Sequence, residues 1–280
     1  MALSDRPWEE IAEYLDEVRR RRPALGEVVD LQRCILRVQH EAARALAGAS
    51  PGEPGGALAE RNRQGLPVVA RKDFAIDITA AAGLFGALLE ALCQAGGAAR
   101  GRALAIRREL EARAFDLLAL LQATLRGEQD GRPGGPDAEP LQLLAQASLR
   151  PHAEAAARAL GHWVQQEHWG RPACPMCGSA PRITELRGEE LAASRYLHCG
   201  FCGWAWPYRR TGCPFCETVD HRDLDLLTIE DDPRVKIETC SQCARYIKVV
   251  DNKEFFGLIP WLEEITTPHL DLLALERGYR

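Results

Sequence analysis

No apolar run in this chain approaches the ~20 residues that a bilayer-spanning helix needs, so no membrane insertion is expected. The charged opening, MALSDRPWEEIAEYLDEV, has no apolar segment at its centre and does not read as a secretory signal. Arginines at 19 to 22 could suggest twin-arginine export, but PALGEVVDLQRC after them is too polar for it. A basic helix end stopped by Pro23 is the expectation. A basic excess is also missing: the formal net charge is -5 and the pI is about 5.9. From Arg171 onward there are 14 Lys/Arg against 17 Asp/Glu. Phosphate neutralisation needs the opposite balance, so nucleic acid is not an expected partner. The first half has no Walker loop, dinucleotide fingerprint or nucleophile elbow, and no enzyme is expected. These absences together point to a cytoplasmic protein.

Cysteine is scarce until late in the chain. Only Cys34 and Cys93 precede residue 170, both in helical, largely apolar stretches where a buried thiol is the expectation. The other eight fall between Cys174 and Cys243, all in Cys-x-x-Cys pairs. In a reducing compartment such pairs favour metal or redox chemistry over structural disulfides.

The texture of the chain changes near residue 170. Helices are expected over about Trp8 to Arg21, Leu25 to Ala47, Glu139 to Leu149 and Pro151 to Trp169, with Pro151 in a first turn. FAIDITAAAGLFGALLEALCQAGG is apolar on several sides and reads as a bundle interior ended by Gly96-Gly97. RALAIRRELEARAFDLLALLQATLRG places Leu104, Leu110, Leu117, Leu121 and Leu125 on one broad face of a single amphipathic helix. GASPGEPGG and GEQDGRPGGPDAEP read as mobile surface loops. After residue 170 short β-prone runs take over: PRITEL, RYLHC, HRDLDLLTI, RVKIETC and RYIKVVD. A last helix is expected from Pro268, with Thr267 as its cap. The fold class is therefore α plus small β: an all-α region over 1–170, a first rubredoxin-like (zinc-ribbon) motif over 171–210, and a second over 211–280 ending in a helix.

An internal repeat organises the cysteines. CPMCGS at Cys174 returns as CPFCET at Cys213, displaced by 39 residues, and CGFC at Cys199 returns as CSQC at Cys240, displaced by 41. Each unit is a knuckle, a strand-forming stretch and a second knuckle, as in a zinc ribbon whose four sulfurs converge on one metal. Sequential pairing gives Cys174, Cys177, Cys199 and Cys202 as one metal site and Cys213, Cys216, Cys240 and Cys243 as the other. The alternative joins the neighbouring pairs Cys199/Cys202 and Cys213/Cys216 and nests the outer ones. Loop closure does not exclude it, but it would break two similar units into dissimilar ones. Glycine follows the second cysteine of each first-unit knuckle (Gly178, Gly203), where Glu217 and Ala244 stand in the second unit. If those turns are left-handed, the second site is the looser one. Four thiolates suit iron or zinc, and a site filled by protein ligands has no open position to activate water.

Around the knuckles, His198 and His221 are surplus to eight cysteines. Trp204, Trp206 and Tyr208 alternate on one face, as ribbon core or as an aromatic partner surface. Arg209-Arg210, Lys248 and Asp251 read as solvated surface.

The motifs CPMCGS, CGFCGWAWPYRRTGCPFC and CSQCARYIKVVD, with the ending HLDLLALERGYR behind a helical half, resemble the formate dehydrogenase accessory protein FdhE family. That resemblance implies a helical region followed by two tandem rubredoxin-like motifs, with the eight paired cysteines as ligands of iron (two tetrathiolate sites), zinc being possible. It further implies a cytoplasmic role in maturing respiratory formate dehydrogenase, through interaction with the catalytic subunit before export. A rubredoxin-like electron-transfer or thiol-redox protein is the competing reading, and a zinc-ribbon nucleic-acid binder the third.

Overall fold

The computed structural model describes residues 5–46, 57–128, 138–188, 194–229 and 232–280. The chain groups into two units: residues 1–53 with 69–162, and residues 54–68 with 163–280. All of GASPGEPGG and residues 129–137 of the second Gly/Pro-rich stretch lie outside the described residues.

The first unit is helical. It contains α1 (Trp8–Arg21), α2 (Gly26–Ala45), α4 (Ile78–Gln94), α5 (Gly97–Glu111), α6 (Leu117–Arg126) and α7 (Ala138–Leu160). Its core is the apolar faces of these helices, with Ile11, Leu15, Leu36, Phe85, Leu88, Leu121 and Leu149 fully buried. Among the described residues no helix is long and apolar enough to cross a membrane.

Two expectations for this unit are corrected. The single helix over 102–126 is in fact two, α5 and α6. Arg113 turns left-handed at φ 54, and the Asp116 carboxylate accepts from the Ala119 N–H at 3.1 Å to cap the restart. Conversely, Pro151 does not open a new helix but lies inside α7. Proline lacks an N–H, so the carbonyl four residues earlier loses its intrahelical donor. That carbonyl belongs to Ala147, and the buried Gln39 Nε2 donates to it at 2.7 Å. A side chain from α2 thus replaces the missing bond. Gln39→Leu is expected to cost about 1–3 kcal/mol, since a buried acceptor is left unmet. Adding Pro151→Ala, which restores the backbone donor, should recover most of that in urea unfolding.

The second unit is built on one six-stranded sheet: β1 (Pro181–Arg187), β2 (Ser194–Cys199), β3 (Ala205–Tyr208), β4 (Leu224–Leu227), β5 (Val235–Cys240) and β6 (Arg245–Asp251). The order is β3-β2-β1-β6-β5-β4. Within each half the strands are antiparallel, and the halves join where β1 runs parallel to β6. The first strand of one repeat therefore pairs with the last strand of the other, head to tail. This leaves β3 and β4 as the sheet edges.

Two short helices, α8 (Pro260–Ile265) and α9 (Pro268–Glu276), follow the sheet. Ile183, Val235, Ile237 and Val250 from the sheet form one buried cluster with Leu270 and Ala274 of α9. Thr267 does not cap α9 with its side chain; its hydroxyl donates to the Glu263 carbonyl at 2.6 Å. Residues ahead of 170 also belong here. Asn62, in α3 (Ala57–Arg63), is buried, donates to the Pro175 carbonyl at 3.0 Å and accepts from the Gln165 N–H at 2.8 Å. Residues 57–68 and 163–170 thus group with the ribbons.

Lys248 and Asp251 are buried, not surface residues. Lys248 is 2% exposed and donates to the Asp271 carboxylate at 2.8 Å and the Glu264 carbonyl at 2.7 Å. Asp251, fully buried, accepts from Lys236 at 2.7 Å. β6 is buried on both faces from Ile247 to Asp251, so two residues on opposite faces of the strand are both enclosed, and paired partners make those positions tolerable.

Candidate metal centres

The structure gathers the eight paired cysteines into two clusters, Cys174, Cys177, Cys199 and Cys202 in one and Cys213, Cys216, Cys240 and Cys243 in the other. Within each cluster the sulfurs all lie within 4.8 Å of one another. In each half one knuckle precedes the first strand and the other follows the second, so an antiparallel pair brings the knuckles to the same end. The nested arrangement does not occur.

The repeat extends to hydrogen bonds. In the first knuckle Cys174 N–H donates to the Ser179 carbonyl at 2.9 Å and Gly178 N–H to the Cys174 carbonyl at 2.8 Å. In its counterpart Cys213 N–H donates to the Thr218 carbonyl at 2.9 Å and Glu217 N–H to the Cys213 carbonyl at 3.1 Å. Backbone amides also reach sulfur: Phe201 N–H to Cys199 Sγ at 3.3 Å, and Phe215 N–H to Cys213 Sγ at 3.4 Å. Such donors offset the negative charge of a thiolate group.

The spacing fits a tetrahedral metal. Sulfurs bonded at about 2.3 Å around one ion lie about 3.8 Å apart. Here Cys174–Cys202 and Cys177–Cys199 sulfurs are 3.8 and 3.4 Å apart, and Cys213–Cys243 and Cys216–Cys240 are 3.7 and 3.6 Å. In the first cluster, burial pushes the Cys174 and Cys202 thiols well up, while hydrogen bonds from its three neighbours pull the Cys177 thiol down. In the second, burial and the adjacent thiols push Cys243 up to about 12. Cys216 is lowered: its slight burial acts upward, but the Thr218 amide and the other thiols outweigh it. Thiols crowded this closely resist ionising together, and a bound cation would favour the thiolate form of all four. All four positions are protein sulfurs, so such an ion would hold the fold or, if iron, pass one electron.

The two centres differ. All four sulfurs of the first belong to buried residues, whereas Cys216 is exposed and Cys243 half-buried. All four turns are left-handed: Gly178 at φ 77 and Gly203 at φ 69, but also Glu217 at φ 64 and Ala244 at φ 53. The last two carry a Cβ in a region that costs about 1–2 kcal/mol for a non-glycine. Glu217→Gly and Ala244→Gly are each expected to stabilise the second centre by up to about 1 kcal/mol, allowing for glycine's greater unfolded-chain entropy. The Arg209–Glu217 pair lost in the first substitution is exposed and worth little. A higher chelator concentration at half-loss of metal from the second centre checks this.

Neither histidine joins a cluster. His221 is exposed, and buried His198 shares a hydrogen bond of 2.8 Å with Glu185. Burial acts upward on Glu185, but the bonds from His198 and Arg187 prevail and hold it at about 2. A carboxyl depressed in this way adds stability above its ordinary range, lost as pH falls toward 2. Asn252 Nδ2 donates to the other oxygen of Glu185 at 2.7 Å, bracing β1 against the turn after β6. The aromatic stretch is mostly core: Trp206 is fully buried and Tyr208 nearly so. Within GWAWPYRRTG, Ala205–Tyr208 forms β3 against β2. Sequence reasoning missed the ion pair between buried Arg195 and half-buried Glu238. Its signal was two opposite charges at inward strand positions.

Residues 173–210 match a family model described as FdhE, central domain. A protein named FdhE homolog from Aquifex aeolicus is 34% identical over 116 residues, which cover 41% of this chain and 41% of that protein. One from Stutzerimonas stutzeri is 32% identical over 146 residues, covering 47% of this chain and 46% of that protein. The chain thus spans less than half the length of these curated relatives. A crystal structure of the FdhE protein from Pseudomonas aeruginosa superposes with a TM-score of 0.68 at 22% identity, covering 98% of this chain and 94% of that one. The chain resembles FdhE proteins in sequence around the cysteine clusters and in fold over nearly its whole length.

Proposed function

We propose that this FdhE-like chain is a non-enzymatic accessory factor for respiratory formate dehydrogenase. It acts in the cytoplasm on the catalytic subunit before export. Its eight paired cysteines hold two metal ions, iron in the first instance, with zinc as the chemical alternative. The observation that carries this reading is the pair of matched four-sulfur clusters on one sheet, in a sequence that resembles FdhE there. A filled sulfur tetrahedron has no place for substrate or activated water, which suits an ordered binding surface better than a catalyst.

Retention of a formate dehydrogenase catalytic subunit on the tagged chain, and loss of formate oxidation when the gene is deleted, are the expected results. No enrichment of that subunit together with intact formate oxidation overturns the assignment. The half-exposed second centre favours one competing reading, electron transfer. A reversible red colour with thiolate-to-iron absorption supports it, and a colourless zinc protein removes it.

A further inference from the structure

A cavity of about 400 Å³ lies beside the second cluster, on the sheet face that carries Arg195 and Glu238. Its volume is in the range of ligand pockets. Its walls mix apolar side chains, Phe215, Leu226 and Ile247 among them, with three arginines: Arg195, Arg210 and Arg245. Arg195 is 2% exposed; one terminal nitrogen donates to the Gly212 carbonyl at 2.8 Å and the other to Glu238. Its Nε is buried and has no acceptor among the described residues. Arg245 stacks on the Phe215 ring at 4.0 Å, without a carboxylate partner among the described residues. Arg210 is exposed and makes no ion pair or hydrogen bond among them.

Two carboxylates share the wall, Glu238 and Asp225. Glu238 is committed to Arg195, and Asp225 accepts from the Leu226 N–H at 2.8 Å. Donors therefore outnumber acceptors, and a planar guanidinium matches a carboxylate. Cys213 and Cys240 also line the cavity, so it abuts the second cluster.

The sheet says in what form that carboxylate arrives. Leu224, Asp225 and Leu226, all of β4, line the cavity. β4 is an edge strand, and Leu226 is 47% exposed on it. In the first repeat the equivalent strand, β1, is covered by a parallel strand, β6. The fold thus already shows what the edge of such a first strand accepts, and in the second repeat no described strand takes that position, the Leu226 N–H being covered by the Asp225 carboxylate, which an incoming strand would displace. We infer that an extended peptide adds to the free edge of β4 and places one carboxylate side chain among Arg195, Arg210 and Arg245. Backbone pairing supplies attachment, and the cavity supplies the choice of an acidic residue flanked by apolar ones. This does not depend on which enzyme the protein serves.

The test uses the full metal-loaded chain and a fluorescein-labelled, capped peptide with a Val-Leu-Glu-Leu-Val core, read by anisotropy. Binding is expected, with a loss of about tenfold or more when the central residue is Gln or when the protein carries Arg210→Gln. Arg245→Gln should act likewise with its metal content unchanged, and amides of residues 224–227 should gain protection from hydrogen exchange on binding. The inference is overturned if the Gln peptide binds as well as the Glu peptide, or if Arg210→Gln binds like wild type. Displacement by 4-methylpentanoate at the peptide's own concentration shows a small-carboxylate site instead. Equal displacement by inorganic phosphate shows a general anion site. No binding at about 1 mM peptide also overturns it.

Discussion

Cys202→Ser is expected to destabilise the second unit by about 3–5 kcal/mol, the range for stripping one partner from a buried charged group. Cys202 is 3% exposed, and its sulfur lies 3.8 Å from that of Cys174. Removing it leaves three buried sulfurs sharing negative charge with no fourth ligand, where water has no access to substitute. The effect should spread beyond the knuckle. β1 begins four residues after Cys177, and β1 is the strand through which the two halves join. Cys216→Ser is the control, because Cys216 is exposed and solvent can take its coordination position. It should lower metal affinity at the second centre with a much smaller loss of stability. Urea unfolding with metal content measured in parallel checks both. Equal destabilisation by the two substitutions contradicts the asymmetry between the centres.

The second large effect lies where the sheet meets its two following helices. Lys248→Met should cost about 3–5 kcal/mol, although methionine fills a similar volume. The Lys248 ammonium meets the Asp271 carboxylate and the Glu264 carbonyl, with the Thr267 carbonyl at 3.4 Å. It therefore ties β6 to α8 and α9 through their adjoining ends. Without it, the buried Glu264 carbonyl is left with the Thr267 hydroxyl at a longer 3.4 Å, and Asp271 keeps the Tyr246 hydroxyl at 2.9 Å. Asp271→Asn should cost far less, because that side chain is 33% exposed and water screens it. A shift in the urea midpoint confined to Lys248→Met supports the tie; a loss below about 1 kcal/mol for that variant removes it.

How much of this was legible in the sequence depends on the scale of the signal. The α plus small β division and the two-unit repeat were readable because Cys-x-x-Cys pairs recur at matched spacing. The left-handed turns were readable in part, since Gly178 and Gly203 mark them. That Glu217 and Ala244 adopt the same φ is a tertiary effect, in which a closed knuckle overrides local preference. The kept helix through Pro151 was not readable, because the compensating donor, Gln39, is 108 residues away. Lys248 and Asp251 were misplaced for the same reason. Charge suggests the surface, and only partners distant in sequence make burial tolerable. The joining of the ribbons through β1 and β6 is likewise non-local. No pattern within either repeat indicates that its edge strand finds the other.

The central claim is that each sulfur cluster is a metal centre. Elemental analysis of the anaerobically purified full chain, with thiols counted in the same sample, tests it most directly. Two metal ions per chain are expected, falling to one in Cys202→Ser, with the metal lost first to chelator coming from the Cys216 centre. A metal-free wild-type chain that is fully folded, its eight cysteines free or joined as disulfides, would contradict the claim.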